Sequence, residues 1–314
     1  MHVLIPFAFS NSEGCRQALA TLQLPHLSQL LRRLAPADTL QGDASSWSPP
    51  HERVLARSLG LDDTDGQIPW AAWQAAGQAP AAQPGDAWAW ISPASWRVEA
   101  SHISMGSPDE LQLGPQDAAT LLDSMRPFFE EDGMALTLLT PTRWLARGEV
   151  FRGLASASLD RVAGRDIDSW MPRAAQATPL RRLQNEMQML LYTHPLNDQR
   201  LEQGLAPVNS FWVSGAGALP ANWQPSTEPP PAVSRSLAAA ALHGDWAAWA
   251  QAWATLDATD CRLLLQQLEQ GQPAKLTLCG ERNARSWHSR PQSWLSRLTG
   301  SWRPPTLASQ LETL

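Results

Sequence analysis

Short apolar runs alternate with amphipathic segments of helical length, and this alternation constrains the fold more than any other feature of the chain. The apolar runs have the length of strands and are bounded by turn residues, as at residues 3–9 and 134–139. Strands that alternate with helices are typical of an α/β fold, here with a mixed sheet flanked by helices. We expect one sheet that contains residues 3–9, 134–139, 208–213 and 274–279.

The clearest helical pattern covers residues 179–193. Apolar side chains recur there at a spacing that brings them to one face of a helix. We expect this face to be buried, and its members are Leu183, Met187, Leu190 and Leu191.

The composition changes near residue 219 and suggests a division of the chain. Residues 1–218 carry most of the α/β pattern, and residues 219–236 contain three consecutive prolines, which are typical of a linker. Residues 237–314 are mainly helical and rich in tryptophan, with a strand at 274–279 that returns to the sheet and a polar, mobile tail from residue 281. Trp246, Trp249 and Trp253 recur at a helical spacing, so we expect this stripe to bury one helix face.

Charge and cysteine content exclude several classes of protein. The 314 residues carry a net charge of −6, which argues against a nucleic-acid partner. The three cysteines are scattered, so neither a disulfide framework nor a cysteine-rich zinc site is expected. No apolar run approaches the ~20 residues that a membrane span needs, and the first residues lack the basic start of a signal peptide. We therefore expect a cytoplasmic protein with no membrane partner.

Common catalytic motifs are missing from the sequence. The seven histidines are isolated from one another, and neither a phosphate-binding glycine loop nor a nucleophile elbow occurs. The sequence predicts no metal site and no cofactor, and it identifies no catalytic residue.

One polar stretch, residues 193–217, offers candidate binding residues. His194, Asn197, Arg200 and Asn209 precede an apolar strand pattern that ends in Ser214 and two glycines. The guanidinium of Arg200 presents a fork of donors that suits a carboxylate or a phosphate. The same side chains can instead satisfy backbone groups and tie a helix to a strand. Spacing alone leaves both readings open.

The run from residue 185 to 217, NEMQMLLYTHPLNDQRLEQGLAPVNSFWVSGAG, resembles a segment of the archaeal-type cofactor-independent phosphoglycerate mutases. That segment reads roughly HPxNxxRxxxGxxPANxxxxRGxG, and His194, Asn197, Arg200 and Asn209 stand at its polar positions. The runs PFAFSNSEGC, SPPHERVLARSLGL and PTRWLARGEVFRGL resemble more closely the RpfE-type bacterial regulatory proteins, which are related to these mutases. The resemblance implies a fold of the alkaline phosphatase superfamily and an activity that needs two metals.

The chain departs from this pattern at the positions that carry the chemistry. Residues 5–9 read IPFAF where the resemblance implies an Asp-Gly metal ligand turn, and residues 279–282 read CGER where it implies an Asp-His pair. Ser214 replaces the arginine of the RGxG motif. We therefore expect a catalytically diverged, regulatory protein that binds a small anionic metabolite, phosphorylated or carboxylate, or a protein partner. The alternatives are an active metal-dependent mutase or phosphotransferase, and a structural protein whose Trp-rich helices bind another protein.

Overall fold

The computed structural model describes residues 1–79, 82–289 and 306–314. The strands there are β1 (His2–Ile5), β2 (Ala35–Leu40), β3 (Ala87–Ala94), β4 (Trp96–Val98), β5 (Ile103–Met105), β6 (Ala135–Thr140), β7 (Arg143–Arg147), β8 (Ser210–Ala218), β9 (Ala232–Val233), β10 (Lys275–Cys279) and β11 (Ala284–His288). The α-helices are α1 (Glu13–Thr21), α2 (Pro25–Arg33), α3 (Pro50–Ser58), α4 (Trp70–Gln78), α5 (Pro115–Glu131), α6 (Leu159–Val162), α7 (Thr178–Tyr192), α8 (Pro195–Glu202), α9 (Ala238–Leu242), α10 (Trp246–Leu256), α11 (Arg262–Glu269) and α12 (Leu307–Leu311). Across this part of the chain, no helix is both long and apolar enough to cross a membrane.

The elements form two compact units. The first unit combines Met1–Leu59 with Ser226–Leu314, and the second is Gly60–Pro225. The sheet of the first unit has the strand order β2-β11-β10-β1-β9. It is mixed, because β1 pairs parallel with both β9 and β10, whereas β11 pairs antiparallel with β10 and β2.

The core of the first unit lies against one face of this sheet. Alternate residues of β1 and β10 point into it, and they meet leucines of α2 and indole rings of α10. Trp249 and Trp253 are fully buried, and Trp246 is half-buried. The expectation that the tryptophan stripe buries one helix face is therefore confirmed.

A buried carboxylate supplies the missing cap of α2. This helix begins at Pro25, and no side chain adjacent to it in sequence caps its first turn. Asp257 lies in a short π-helical turn between α10 and α11, and its carboxylate accepts from the backbone N–H groups of His26 (3.2 Å) and Leu27 (2.7 Å). A carboxylate at a helix N-terminus satisfies orphan donors and interacts favourably with the helix dipole. Asp257 thus joins the start of α2 to the turn between α10 and α11, which is far from α2 in sequence.

The second unit contains an antiparallel sheet of order β6-β7-β3-β8, with the small ribbon of β4 and β5 beside it in sequence. One face of the sheet packs on a core that includes α5 and α7. Leu183, Met187 and Leu191 of α7 are fully buried, and Leu190 packs partly buried against the same core. The predicted inward face of this helix is confirmed.

The expectation of a single sheet is wrong. Residues 3–5 and 275–279 belong to the sheet of the first unit, whereas β6 and β8 belong to the sheet of the second. The pairing explains the difference, since β1 finds its neighbours in β9 and β10 and not in the strands that follow it in sequence.

The division into units also differs from the expected domains 1–218, 219–236 and 237–314. The early segment Met1–Leu59 joins the late segment Ser226–Leu314, and β9 lies inside the expected linker. The expected tail includes β11 and α12, whose Leu311 is fully buried. Residues 290–305 of that tail lie outside the described residues.

The other face of the first sheet carries a row of polar side chains. The ring Nε2 of His2 lies 2.9 Å from Oγ1 of Thr277, which lies 2.8 Å from Oγ of Ser286. Burial, followed by the nearby charge of Lys275, lowers the pKa of His2 from 6.5 to about 4. His2 is therefore neutral in the folded protein at neutral pH.

We expect this histidine to make stability depend on pH. Between pH 6.5 and about 4 the unfolded chain binds a proton at His2 that the folded protein does not, so the free energy of unfolding falls as the pH drops through this window. Chemical denaturation of the wild type and of His2→Gln gives the free energy of unfolding of each protein at several pH values. The difference between the two proteins isolates His2, because the other titrating groups are present in both. Parallel pH profiles for the two proteins would contradict it.

Gly215 and Ala216 form a bulge in β8. Trp88 of β3 pairs with Gly217 and Trp90 pairs with Ser214, so β8 has two residues opposite one. Gly215 has φ +60°, and a Cβ built on it would lie 2.9 Å from Cβ of Trp70. A side chain at this position would therefore strain the backbone and would also clash with Trp70 of α4.

We expect Gly215→Ala to lower the free energy of unfolding by about 2–4 kcal/mol, from the left-handed backbone and overpacking together. Gly133→Ala is the matched control, because Gly133 also has a positive φ (+73°) but nothing lies within 4 Å of a Cβ built on it. The control is expected to lose only the backbone part, about 1–2 kcal/mol. Urea denaturation of both variants tests this, and equal losses would remove the packing argument.

Candidate binding site

His194 caps α8 and connects it to α5. The residue is the N-cap of α8, and its ring Nδ1 accepts from the backbone N–H of Leu196 at 3.2 Å. This leaves the proton on Nε2, which lies 3.0 Å from Oγ of Ser124, while that hydroxyl donates to the carbonyl of Thr120. Both ring nitrogens therefore have partners within the protein.

Asn197 is buried and fully hydrogen-bonded. Its amide nitrogen donates to the carbonyls of Leu191 (2.8 Å) and Val208 (2.7 Å). Its amide oxygen accepts from the backbone N–H of Val208 at 2.9 Å. The side chain thus joins the end of α7 to the segment that enters β8.

Arg200 holds two loops with its guanidinium. Nε donates to the carbonyl of Ala206 at 2.9 Å, Nη2 donates to the carbonyl of Leu111, and Nη1 lies 3.8 Å from a carboxylate oxygen of Asp117. The residue is only 1% exposed. Burial lowers the pKa of Arg200, and the Asp117 carboxylate offsets part of this effect. Gly204, with φ +71°, lets the chain fold back so that Ala206 reaches the guanidinium.

Asn209 extends the pairing of β3 and β8 into the start of β4. Its amide oxygen accepts from the backbone N–H of Trp96 at 2.7 Å, and its amide nitrogen donates to the carbonyl of the same residue at 2.8 Å. Its own backbone N–H donates to the carbonyl of Ala94. The side-chain amide therefore makes the two hydrogen bonds to Trp96 that a paired backbone residue would make.

These four side chains do not share a partner. His194 contacts α5, Asn197 contacts the backbone before β8, Arg200 contacts two loops, and Asn209 contacts the start of β4. The geometry assigns each of them a structural contact, and their role in binding a ligand stays a prediction.

Ser214 differs from the other four candidates, because its side chain makes no hydrogen bond at all in the described part of the chain, although its hydroxyl is buried. Nη1 of Arg200 is also buried without a hydrogen bond, but the other nitrogens of that guanidinium have partners. Ser92 and Ser210 share this property. In the register of β3 and β8, Ser92 lies opposite Trp212, which places both Ser210 and Ser214 diagonal to it on the same face. This set of three hydroxyls, the hydroxyl cluster, lies on the face opposite the main core of the second unit, which contains Phe211 and Val213.

The hydroxyl cluster supplies neutral hydrogen-bond donors in a buried environment. A serine hydroxyl can donate to an anionic oxygen and accept from a donor, and a buried polar group without a partner has a free-energy cost that a ligand can remove. Sequence reasoning identified Ser214 and missed Ser92 and Ser210. The alternation of Ser210, Trp212 and Ser214 with Phe211 and Val213 was the signal that Ser210 and Ser214 share a face.

The chain shows partial similarity to known mutases, although no protein-family model matches it. It is 37% identical over 59 residues to a probable 2,3-bisphosphoglycerate-independent phosphoglycerate mutase of Geobacter sulfurreducens. It is 36% identical over 59 residues to the corresponding mutase of Methanosarcina mazei. Each match covers 19% of this chain and 15% of the relative. The similarity supports a relationship to phosphoglycerate mutases over a short segment.

Two solved structures are similar at low identity. The cofactor-independent phosphoglycerate mutase of Thermoplasma acidophilum matches with a TM-score of 0.38 and 14% identity, over 96% of this chain and 95% of that one. A protein of Pyrococcus horikoshii matches with a TM-score of 0.45 and 12% identity, over 92% of this chain and 87% of that one.

We expect Arg200→Ala to lower the free energy of unfolding by about 2–4 kcal/mol, because it leaves buried carbonyls without donors. Arg126→Ala is the control, since Arg126 makes an exposed ion pair with Asp123 and should cost less than about 1 kcal/mol. The midpoint of chemical denaturation measures both. An Arg200→Ala protein as stable as the control would contradict the structural role of the guanidinium.

Proposed function

We propose that this chain is a catalytically diverged phosphoglycerate mutase-like protein that acts as a regulator by binding a small anionic metabolite. The similarity over 59 residues to two bisphosphoglycerate-independent mutases supports the relationship. The resemblance of residues 193–217 to the mutase motif agrees with it. The ends of two strands in the first unit support the divergence.

The carboxyl ends of β1 and β10 carry the main observation. These strands are adjacent and parallel, so both end at the same edge of the sheet. Residues 6–9 follow β1, and their Ala8 and Phe9 are buried in the apolar core. The backbone N–H of Ala8 donates to the carbonyl of Cys279 at 2.8 Å, which closes the edge between the two strands.

The donor atoms of these two segments do not fit a two-metal centre. Glu281 is the one carboxylate within residues 6–9 and 280–282, and it accepts from the backbone N–H of Asn11. Burial raises the pKa of the Cys279 thiol, which keeps it protonated and makes it a poor metal ligand. A two-metal phosphoryl transfer needs several anionic ligands to hold both ions. A binding role is therefore favoured over catalysis by the mutase mechanism.

The cluster of Ser92, Ser210 and Ser214 supports recognition of an anion. The three hydroxyls are buried on one sheet face, and Ser92 is diagonal to both Ser210 and Ser214, so Ser92 and one of these two can donate to one carboxylate or phosphate group. Ser214 stands where the related mutases carry an arginine, and a neutral donor there suits weak, reversible binding.

The alternative that the Trp-rich helices bind another protein has less support. Trp249 and Trp253 are fully buried, with ring centroids 6.2 Å apart in an edge-to-face contact. The indole N–H of Trp249 donates to the carbonyl of Phe7 at 2.9 Å. These rings fill the core of the first unit and offer little surface to a partner.

A mutase assay with 3-phosphoglycerate tests the divergence. The full chain, supplied in turn with Mn²⁺ and Zn²⁺, is expected to show no conversion to 2-phosphoglycerate, because residues 6–9 and 280–282 lack the ligand set. A mutase of the same family, run alongside, shows that the assay works. Turnover restored by either ion would overturn the proposal in favour of an active enzyme.

Thermal shift with 3-phosphoglycerate tests the binding. The ligand is expected to raise the melting temperature of the wild type, and Ser214→Ala and Ser92→Ala should reduce this rise. Ser124→Ala is the control, since its hydroxyl already donates within the protein to Thr120. An equal rise in all four proteins would place binding elsewhere, and no rise in any would refute this ligand class.

A further inference from the structure

A second candidate site lies entirely within the first unit and is independent of the proposed function. A cavity of about 960 Å³ lies at the amino ends of β1 and β10, on the face of the sheet opposite the tryptophan-rich core. This volume is at the upper end of the range for small-molecule sites, roughly 300–1,000 Å³. The hydroxyl cluster of Ser92, Ser210 and Ser214, in contrast, belongs to the second unit.

Strand register brings three basic side chains into one row on the cavity wall. Lys275 pairs with His2 on one side and with His288 on the other, so the three lie side by side across adjacent strands. All three line the cavity. The sheet therefore presents nitrogen atoms to the cavity from three strands.

Lys275 is the only lysine of the chain, since the other 23 of the 24 basic Lys and Arg residues are arginines. Its side chain is half-buried and makes neither a hydrogen bond nor an ion pair among the residues that the structure describes. Residues 290–305, which follow the cavity in sequence, contain no Asp or Glu. A half-buried ammonium without an anionic partner favours the binding of an anion from solution.

The groups around Lys275 restrict the class of anion. Neutral His2 and the hydroxyl of Ser286 provide hydrogen bonds on the inner wall, while Leu40 and Val54 provide apolar surface. Asp38, Glu228 and Arg57 also line the cavity and are exposed. Arg57 already has an interaction partner, whereas the two carboxylates repel a ligand with several negative charges. A single negative charge joined to an apolar body fits these walls best.

We propose that this cavity binds a small organic monocarboxylate, whose carboxylate pairs with Lys275 and whose hydrocarbon part lies against Leu40 and Val54. Lysine suits this role, because its ammonium is a compact point charge on a flexible stem and can follow carboxylates of different length.

The single lysine makes a direct test possible. The full-length protein is treated with trinitrobenzenesulfonate, and the extent of modification at Lys275 is read by mass spectrometry, which separates it from the α-amino group. Hexanoate is expected to slow modification several-fold, whereas hexanamide, its neutral counterpart, and inorganic phosphate should have little effect. Absence of protection by hexanoate would overturn the proposal. Equal protection by hexanamide or by phosphate would also overturn it, by showing that the carboxylate is not what is recognised.

Thermal shift on variants provides the second arm. Hexanoate should raise the melting temperature of the wild type and of Arg33→Gln, in which an exposed ion pair with Glu269 is removed from the same unit. Lys275→Gln should lose this rise. A Lys275→Gln protein that folds and still responds to hexanoate would contradict the proposal, and the labelling of the wild-type chain decides the matter if the variant does not fold.

Discussion

The parallel pairing of β1 with β10 is the constraint on which the first unit depends. It joins residues 2–5 to residues 275–278 and places β9 on the other side of β1. Parallel strands cannot be joined by a tight turn, so the chain between them must leave the sheet and return. Here the intervening chain includes a complete second unit with its own antiparallel sheet. Closing so long a loop has an entropic cost that the pairing and its core must offset.

The same long-range closure determines where polar groups are needed. α2 begins without a capping side chain of its own, and the carboxylate of Asp257, which comes more than two hundred residues later, caps it. His2, Thr277 and Ser286 likewise meet only because three strands are in register. The arrangement of strands thus decides which polar side chains find a hydrogen-bond partner far away in the sequence. It also leaves the side chain of Lys275 without a partner among the described residues.

The second unit shows how a motif can be kept for structural reasons. In residues 193–209, His194 caps α8, and Asn197 hydrogen-bonds backbone groups of Leu191 and Val208. Arg200 donates hydrogen bonds to carbonyls in two loops. These contacts stabilise the segment that delivers β8 to the sheet, and they do so whether or not a ligand is bound. The resemblance of this segment to the mutase motif therefore does not depend on the ends of β1 and β10, which belong to a different part of the fold.

The sequence by itself predicted β1, β6, β8 and β10 as strands and α7 as a helix with its inward face, because helix and strand periodicities are local and apolar side chains must leave water. It also identified the tryptophan stripe of α10 as a buried face. It did not predict β2, β9 or β11. Only the tertiary structure decided that the strands form two sheets, since strand pairing depends on contacts between residues far apart in sequence. It alone showed that Asn197, Arg200 and Asn209 bind backbone groups while Ser92, Ser210 and Ser214 have no partner among the described residues. A polar side chain has the same donors in either case, and its partner is set by what the fold brings within hydrogen-bond distance.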